Sequence, residues 1–141
     1  MKFDDIEMAF YYVSSNQPLV NNAFISKVTG KTYYTSEMGD SDDLPDDIDD
    51  ENTYISVPHK NDLGLGRELV FEFASYFLPD DIAQVQNIFN RKDAYSSFKQ
   101  LLDRRHKLED WHRFEEAKQT AAIIEWCEEN AIPIESSDNE Y

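Results

Sequence analysis

Apolar residues recur at steps of three and four near the start of the chain. Residues with this spacing lie on one face of a helix, and here they are Phe3, Ile6, Phe10 and Val13. The pattern predicts a helix over residues 3–16. Pro18 ends the pattern, because proline cannot continue a helix.

The hydrophobic pattern then changes to runs rich in β-branched and aromatic residues. Residues 23–28 and 31–35 are two such runs with Gly30 in the turn between them, which predicts a β-hairpin. A hairpin is only marginally stable alone. We therefore expect a third strand at residues 53–57, which Pro58 ends.

Helical spacing returns after Pro58. The four predicted helices are residues 63–77, a second that begins at Pro79, residues 93–104 and residues 107–130. On the third we expect Tyr95, Phe98 and Leu102 to face inward, and the last carries an apolar stripe at Trp111, Phe114, Ala117, Ala121, Ile124 and Cys127. Strands followed by helices predict an α+β fold. Its small antiparallel sheet, a hairpin plus a third strand, packs against about four C-terminal helices, with one N-terminal helix.

The length of 141 residues predicts a single domain over residues 1–141, with a frayed tail at 135–141. The one cysteine, Cys127, excludes an intramolecular disulfide and favours a reducing compartment. Acids interrupt the N-terminal apolar positions, unlike in a signal peptide, and no apolar run is long enough to span a membrane. We expect a cytoplasmic protein, and nothing predicts its oligomeric state.

Charge is distributed unevenly along the chain. The formal net charge is −16, and residues 37–51 hold nine acids without one Lys or Arg. Because like charges repel, we expect residues 37–52 to form a mobile loop, and we expect a basic protein surface as its partner. The acids predicted to bind that partner are Asp40, Asp42, Asp43, Asp46, Asp47, Asp49, Asp50 and Glu51. An EF-hand is excluded because Leu44 and Pro45 replace a ligand and the required glycine, and weak binding of divalent cations by several carboxylates of the loop stays an open alternative. No metal site or cofactor is predicted.

Residues 91–118 carry the opposite excess, with eight bases against six acids. An alternative function is phosphate or RNA binding by the basic helix surface at 91–107, through Arg91, Lys92, Lys99, Arg104 and Arg105. Aromatic residues between bases can stack on single-stranded nucleic acid, but helical spacing turns Tyr95 and Phe98 toward the core. The net charge also argues against nucleic acid, so the interaction with a basic protein is the preferred hypothesis.

Candidate catalytic groups are few, and the sequence favours a protein that is not an enzyme. Glu109 and His112 have the Glu-x-x-His spacing of di-iron bundles, but such a site needs a second copy of the motif. A metal-dependent hydrolase is the second alternative. All three histidines are expected at the surface or rim. Burial and neighbouring acids should raise the pKa of the Cys127 thiol and make it unreactive.

Four runs of the sequence carry a family resemblance. They read Leu-Pro-Asp-Asp at 78–81, Ala-Tyr-Ser-Ser-Phe-Lys at 94–99, Leu-Glu-Asp-Trp-His-Arg-Phe at 108–114 and Ile-Glu-Trp-Cys-Glu-Glu-Asn at 124–130. Together with the hairpin and third strand, they resemble the uncharacterised protein family 0158, a group of small acidic bacterial proteins. The resemblance implies a shared architecture and no known activity. The chain departs from the family pattern at Asp93, where the family has glycine, and at Ser96 and Ser97, where it has arginines.

Overall fold

The computed structural model describes residues 1–39 and 41–135. These residues form a three-stranded antiparallel sheet and five α-helices, one before the sheet and four after it, which confirms the predicted α+β class. The chain divides into two compact units. Unit 1 is Met1–Leu63 with Ala122–Tyr141, and unit 2 is Gly64–Ala121. Asp40 and residues 136–141, which belong to the predicted loop and tail, lie outside the described residues.

The sheet lies in unit 1 and confirms both the hairpin and the third strand. Its strands are β1 (Asn21–Ser26), β2 (Thr32–Ser36) and β3 (Tyr54–Ser56), in the order β2-β1-β3. In this register Phe24 lies opposite Tyr33 on one side and Ser56 on the other. The central strand therefore has an antiparallel partner along both of its edges.

The hairpin turn depends on one buried hydroxyl and one glycine. Ser26 is 4% exposed, and its Oγ accepts hydrogen bonds from the N–H groups of Val28 (3.2 Å) and Thr29 (3.1 Å). Gly30 has φ +78°, a left-handed conformation that costs glycine little because it has no Cβ. The positive φ explains why glycine stands between the two strands, and the Ser26 hydroxyl holds the start of the turn.

Helix α1 (Phe3–Ser14) packs on one face of the sheet. Side chains alternate between the two faces of a strand, and Ala23 and Ile25 on β1 face inward at 1% exposure each. The buried apolar residues of unit 1 are Ile6, Ala9, Phe10, Val13, Ala23, Ile25, Val57, Ile123, Cys127 and Ile132. The predicted apolar face of the first helix is confirmed apart from Phe3, which is half-buried.

The prediction that every histidine lies at the surface or rim is wrong for His59, which is 5% exposed. Its Nε2 lies 2.7 Å from the backbone oxygen of Asn16, and its Nδ1 accepts a hydrogen bond from the N–H of Asn61 at 3.0 Å. Because Nδ1 is an acceptor, the proton of the neutral ring is on Nε2, which donates to Asn16. The first partner is a backbone group 43 positions away, which a local pattern cannot reveal.

Unit 2 contains α2 (Arg67–Phe77), α3 (Ile82–Ile88), α4 (Ala94–Arg104) and the first part of α5 (Leu108–Glu129). Helix α2 begins later than predicted because residues Lys60–Leu63 form a separate 3₁₀ turn, and Gly64 follows with φ +68°. Pro79 does not begin an α-helix directly but opens a 3₁₀ turn, Pro79–Asp81, which precedes α3.

The core of unit 2 is apolar and rich in aromatic rings. Its buried members are Leu69, Val70, Phe73, Ala74, Leu78, Val85, Phe89, Phe98, Leu101, Leu102 and Trp111. The rings of Phe73 and Phe98 each meet the ring of Trp111 edge-on at 5.2 Å, a favourable aromatic geometry. Tyr95, which was predicted to face inward, packs against Phe89 but keeps 39% of its surface exposed.

The apolar stripe predicted on α5 is right at its two ends, where Trp111 and Cys127 are buried, and wrong at three positions between them. The predicted members that prove exposed are Ala117, Ala121 and Ile124. The prediction assumed one continuous apolar face, whereas α5 begins in unit 2 and ends in unit 1. Each unit buries its own residues of this helix: Trp111 belongs to the unit 2 core, and Ile123 and Cys127 belong to the unit 1 core.

Asp93, between α3 and α4, has the left-handed backbone conformation, with φ +58° and ψ +32°. This is the position at which the family pattern has glycine. Glycine adopts positive φ freely, and aspartate is among the few other residues that tolerate it. The backbone at Asp93 therefore has a conformation that glycine, the residue expected here from the resemblance, would adopt without strain.

Candidate functional site

The described part of the acidic loop, residues 41–51 (hereafter the acidic segment), begins alongside strand β2. The N–H of Asp42 donates to the backbone oxygen of Tyr34, and Asp42 Oδ2 accepts from the N–H of Tyr34, both at 2.8 Å. Ser41 Oγ accepts from the N–H of Ser36 at 3.0 Å. These bonds attach the start of the segment to the outer edge of the sheet.

Two further carboxylates hold the end of the acidic segment to β3 and to the residues just before that strand. Asp47 Oδ1 accepts from the hydroxyl of Tyr54 at 3.1 Å. Asp50 accepts from the hydroxyl of Thr53 (2.8 Å) and the N–H of Asn52 (3.0 Å), and these two bonds lower the pKa of Asp50. Burial, followed by the bond to Asp47, raises the pKa of Tyr54. The segment thus has a defined path in the structure, and the mobility expected from charge repulsion stays a prediction.

The acids of this region face solvent. The exposed members are Glu37, Asp42, Asp43, Asp46, Asp47, Asp49, Asp50 and Glu51. Within residues 1–39 and 41–135, no Lys or Arg forms an ion pair with the acidic segment, because the three ion pairs found there lie in unit 2. The ammonium of Lys27 donates instead to the backbone oxygen of Glu51 at 3.3 Å. The carboxylates of the segment are therefore exposed without an ion-pair partner among these residues.

The division into units concentrates the charge further. Unit 1 has 19 Asp and Glu residues against four lysines, and unit 2 has ten against nine Lys and Arg residues. The formal net charge is consequently −15 for unit 1 and −1 for unit 2. A field of this kind attracts basic partners and repels nucleic acid and anionic lipid. Almost all of this attraction would originate in unit 1.

A cleft of about 520 Å³ opens in unit 1 between β3, the acidic segment and the end of α5. Three aromatic side chains line it, Phe24, Tyr54 and Trp126, and each is half-buried. Asp49 and Glu51 line the same cleft from the acidic segment. The structure therefore brings aromatic faces and carboxylates together at one opening.

A second cleft in unit 1, of about 360 Å³, lies beside the hairpin turn. Its lining includes the main chain of the turn around Gly30 together with Asp5, Thr29 and Glu135. The N-terminal amino group donates to the backbone oxygen of Pro133 at 3.1 Å in the same region. This cleft offers polar groups of both signs and no concentrated charge.

The residues of the basic helix surface are exposed in unit 2, but the structure does not gather them at one cleft. Arg91 and Lys92 lie in the turn before α4, and Lys99 and Arg104 lie on α4. Arg105 is engaged within the chain, because Nε and Nη2 each donate to a carboxylate oxygen of Asp81 at 3.0 Å. These bonds hold the pKa of Asp81 below its usual value. Phosphate or RNA binding stays a prediction.

The groups considered for metal chemistry are not assembled into a site. Glu109 forms an ion pair with Arg113, and His112 is exposed. Across the described part of the chain, no group of three His, Cys, Asp or Glu residues is placed to hold a metal ion. Cys127 is fully buried, and burial raises the pKa of its thiol to about 11.

The aromatic lining of the 520 Å³ cleft was not predicted from the sequence. Alternation along β1 does place Phe24 on the face opposite Ala23 and Ile25, which is a signal that the sequence contains. Trp126 lies off the predicted stripe of α5 and carries no comparable signal. Its proximity to β3 results from the tertiary structure.

The fold and the charge pattern define the class of protein, a small α+β protein with a strongly acidic, sheet-containing unit. The model of the Uncharacterised protein family (UPF0158) matches residues 15–139, and the chain belongs to that family. This confirms the resemblance found in the sequence. No curated protein and no solved structure matches the chain. Among the helices of the described residues, none has the length and apolar character needed to cross a bilayer.

Proposed function

We propose that this protein is a non-enzymatic binding protein whose acidic segment recognises a basic surface of another protein. One observation supports this above the others: the segment is held along a defined path by its own hydrogen bonds, while its carboxylates are exposed and form no ion pair with Lys or Arg in the described residues. A site that is already ordered loses less conformational entropy on binding. The single buried thiol favours a cytoplasmic setting.

The acids of the segment divide into two groups with different roles. Asp42, Asp47 and Asp50 use carboxylate oxygens to hold the segment. The side chains of the second group, Asp43, Asp46, Asp49 and Glu51, are exposed and make no hydrogen bond in the described structure. We expect the first group to maintain the shape of the segment and the second group to attract the partner.

Electrostatic attraction of this kind is weak for each pair and depends on salt. An exposed ion pair contributes about 0–1 kcal/mol, and screening shortens its range to about 8 Å at physiological ionic strength. We therefore expect fast association and an affinity that falls steadily as salt is added.

The test replaces the second group of acids and leaves the first intact. The variant carries Asp43→Asn, Asp46→Asn, Asp49→Asn and Glu51→Gln, and the probe is a fluorescent peptide of alternating lysine and arginine whose binding is measured by anisotropy at low salt. We expect about a tenfold weaker affinity, since four contacts of a few tenths of a kcal/mol are lost.

The matched control removes the same charge from unit 2. It carries Glu68→Gln, Asp80→Asn, Asp103→Asn and Glu116→Gln, all at exposed positions. We expect this control to bind the peptide nearly as well as the natural protein. Equal weakening in both variants would show that net charge alone attracts the peptide, and binding that salt does not affect would contradict the electrostatic proposal.

A further inference from the structure

We propose that the cleft lined by Phe24, Tyr54, Trp126, Asp49 and Glu51 (hereafter the aromatic cleft) binds the guanidinium group of an arginine on the basic partner. This inference rests on the proposed function and makes it more specific. It assigns a stacking site for one side chain, in addition to the general attraction of the acidic segment. The aromatic cleft has a volume of about 520 Å³, within the range of sites that bind small ligands.

The aromatic side chains have surface available for a ligand. Phe24, Tyr54 and Trp126 are each half-buried at the cleft. The ring of Trp126 meets no other aromatic ring among the residues that the structure describes, in contrast to Trp111, which has two such contacts. Tryptophan is the aromatic residue whose face attracts cations most strongly. Trp126 is therefore the principal stacking surface in this proposal.

The carboxylates of the aromatic cleft select the charge and shape of the ligand. Asp49 and Glu51 line the opening together with the rings. A guanidinium is planar, stacks on aromatic faces and donates paired hydrogen bonds to a carboxylate. A lysine ammonium is a strongly hydrated point charge that cannot stack in this way. The combination of rings and acids therefore favours arginine over lysine.

Lys27 also lines the aromatic cleft and is the one Lys or Arg among the described residues of its lining. Its ammonium donates to the backbone oxygen of Glu51, so that the carboxylates of Asp49 and Glu51 are not its hydrogen-bond partners. Its positive charge nevertheless opposes an incoming cation. Replacing Lys27 by glutamine keeps a donor for the Glu51 backbone and removes the charge. We expect this change to tighten the binding of an arginine peptide about twofold to fivefold.

The direct test observes Trp126 in the unmodified protein. The chain has two tryptophans, so its ¹H–¹⁵N spectrum contains two indole signals, and Trp126→Phe identifies the one from Trp126. The probe is a short peptide of alternating arginine and glycine. We expect its addition to shift the Trp126 signal and to leave the signal of Trp111, which is 2% exposed, in place. Peptides with lysine or with uncharged citrulline in place of arginine should shift the Trp126 signal much less.

Affinity measurements with matched variants complete the test. Trp126→Ala should weaken binding of the arginine peptide about fivefold to thirtyfold, the range for loss of a partly desolvated cation–π contact. Trp126→Phe keeps an aromatic face and should retain part of the affinity. Tyr76→Ala is the control, because Tyr76 is an exposed aromatic residue of unit 2 (69%) outside the cleft. Should Trp126→Ala fail to fold, the indole signals and the comparison of arginine, lysine and citrulline peptides still decide the question.

The possible results separate this inference from the function on which it rests. An arginine peptide that binds with salt dependence, but does not shift the Trp126 signal or binds Trp126→Ala normally, would overturn the aromatic cleft and leave the proposed function standing. Equal binding of the arginine and lysine peptides, or equal binding of the citrulline peptide, would also overturn it. Failure of every cationic peptide to bind at low salt would remove both proposals.

Discussion

Unit 1 and unit 2 stabilise their structures in different ways. The three buried polar side chains found in the described residues, Asn21, Ser26 and His59, all lie in unit 1. Each makes hydrogen bonds with the protein; Asn21, for example, donates to the backbone oxygen of Tyr12 at 3.2 Å. Unit 2 contains instead the apolar cluster around Phe73, Phe98 and Trp111. Unit 1 also holds −15 of the net charge of −16.

This difference shows how one small chain can combine a stable fold with a charged surface. Apolar burial contributes about 25 cal/mol per Å² and needs no directional contacts. Hydrogen bonds contribute less in net terms but specify where a loop runs. Unit 1 uses such bonds to fix a highly charged segment that self-repulsion would otherwise spread. The proposed recognition of a basic partner would therefore belong to unit 1, which carries the fixed and exposed carboxylates.

The largest expected effect tests whether the two units are energetically separate. Phe98→Ala removes a fully buried ring from unit 2 and should cost about 3–5 kcal/mol of unfolding free energy. Hydrogen exchange should then accelerate more in Gly64–Ala121 than in Met1–Leu63. The matched change in unit 1 is Ile25→Ala, at a residue with 1% exposure, and its expected cost is about 2–5 kcal/mol of unfolding free energy. In that variant hydrogen exchange should accelerate more in Met1–Leu63 than in Gly64–Ala121.

If either variant accelerates exchange equally in both units, the chain unfolds as one cooperative body. The comparison between units would then describe composition only, and the single-domain prediction would hold in the thermodynamic sense.

An intermediate effect should come from the buried histidine of unit 1. His59→Ala removes a buried side chain together with its bonds to the backbone oxygen of Asn16 and the N–H of Asn61, and the two hydrogen bonds are worth about 0.5–1.5 kcal/mol each. Urea unfolding at neutral pH measures the loss. The control His112→Ala, at an exposed position, should change stability by less than about 0.5 kcal/mol. Equal losses of unfolding free energy would show that the buried contacts of His59 stabilise unit 1 no more than an exposed histidine stabilises unit 2.

The smallest effect concerns the left-handed residue of unit 2. At φ +58°, alanine at position 93 is strained, while glycine is not. We expect Asp93→Gly to be more stable than Asp93→Ala by about 1 kcal/mol, measured by urea unfolding. The exposed neighbour Lys92, which has no positive φ, serves as the reference, because glycine there should be no better than alanine. If glycine were more stable than alanine by the same amount at positions 92 and 93, the positive φ of Asp93 would not explain a preference for glycine at position 93.

Prediction from the sequence succeeded where the determining interactions are local. The hairpin, the third strand and the apolar face of α1 follow from alternation and helical spacing, which depend on neighbours a few positions away. The stripe predicted on α5 failed because two separate cores bury different residues of one helix. Ile124 was predicted to be buried and is exposed, whereas its neighbour Ile123 is buried. His59 failed because one of its partners lies 43 positions away in the chain.

The sequence alone determined the class of fold and the position of the acidic segment, because periodicity and composition express these directly, and its four motif runs carried the resemblance to a family. Only the tertiary structure decided which acids hold the segment and which are exposed without a hydrogen bond in the described structure. It also decided that Trp126, from the end of α5, lines one cleft with Tyr54 and Asp49. Such a cleft depends on contacts between residues far apart in sequence, and no local pattern encodes their distance in space.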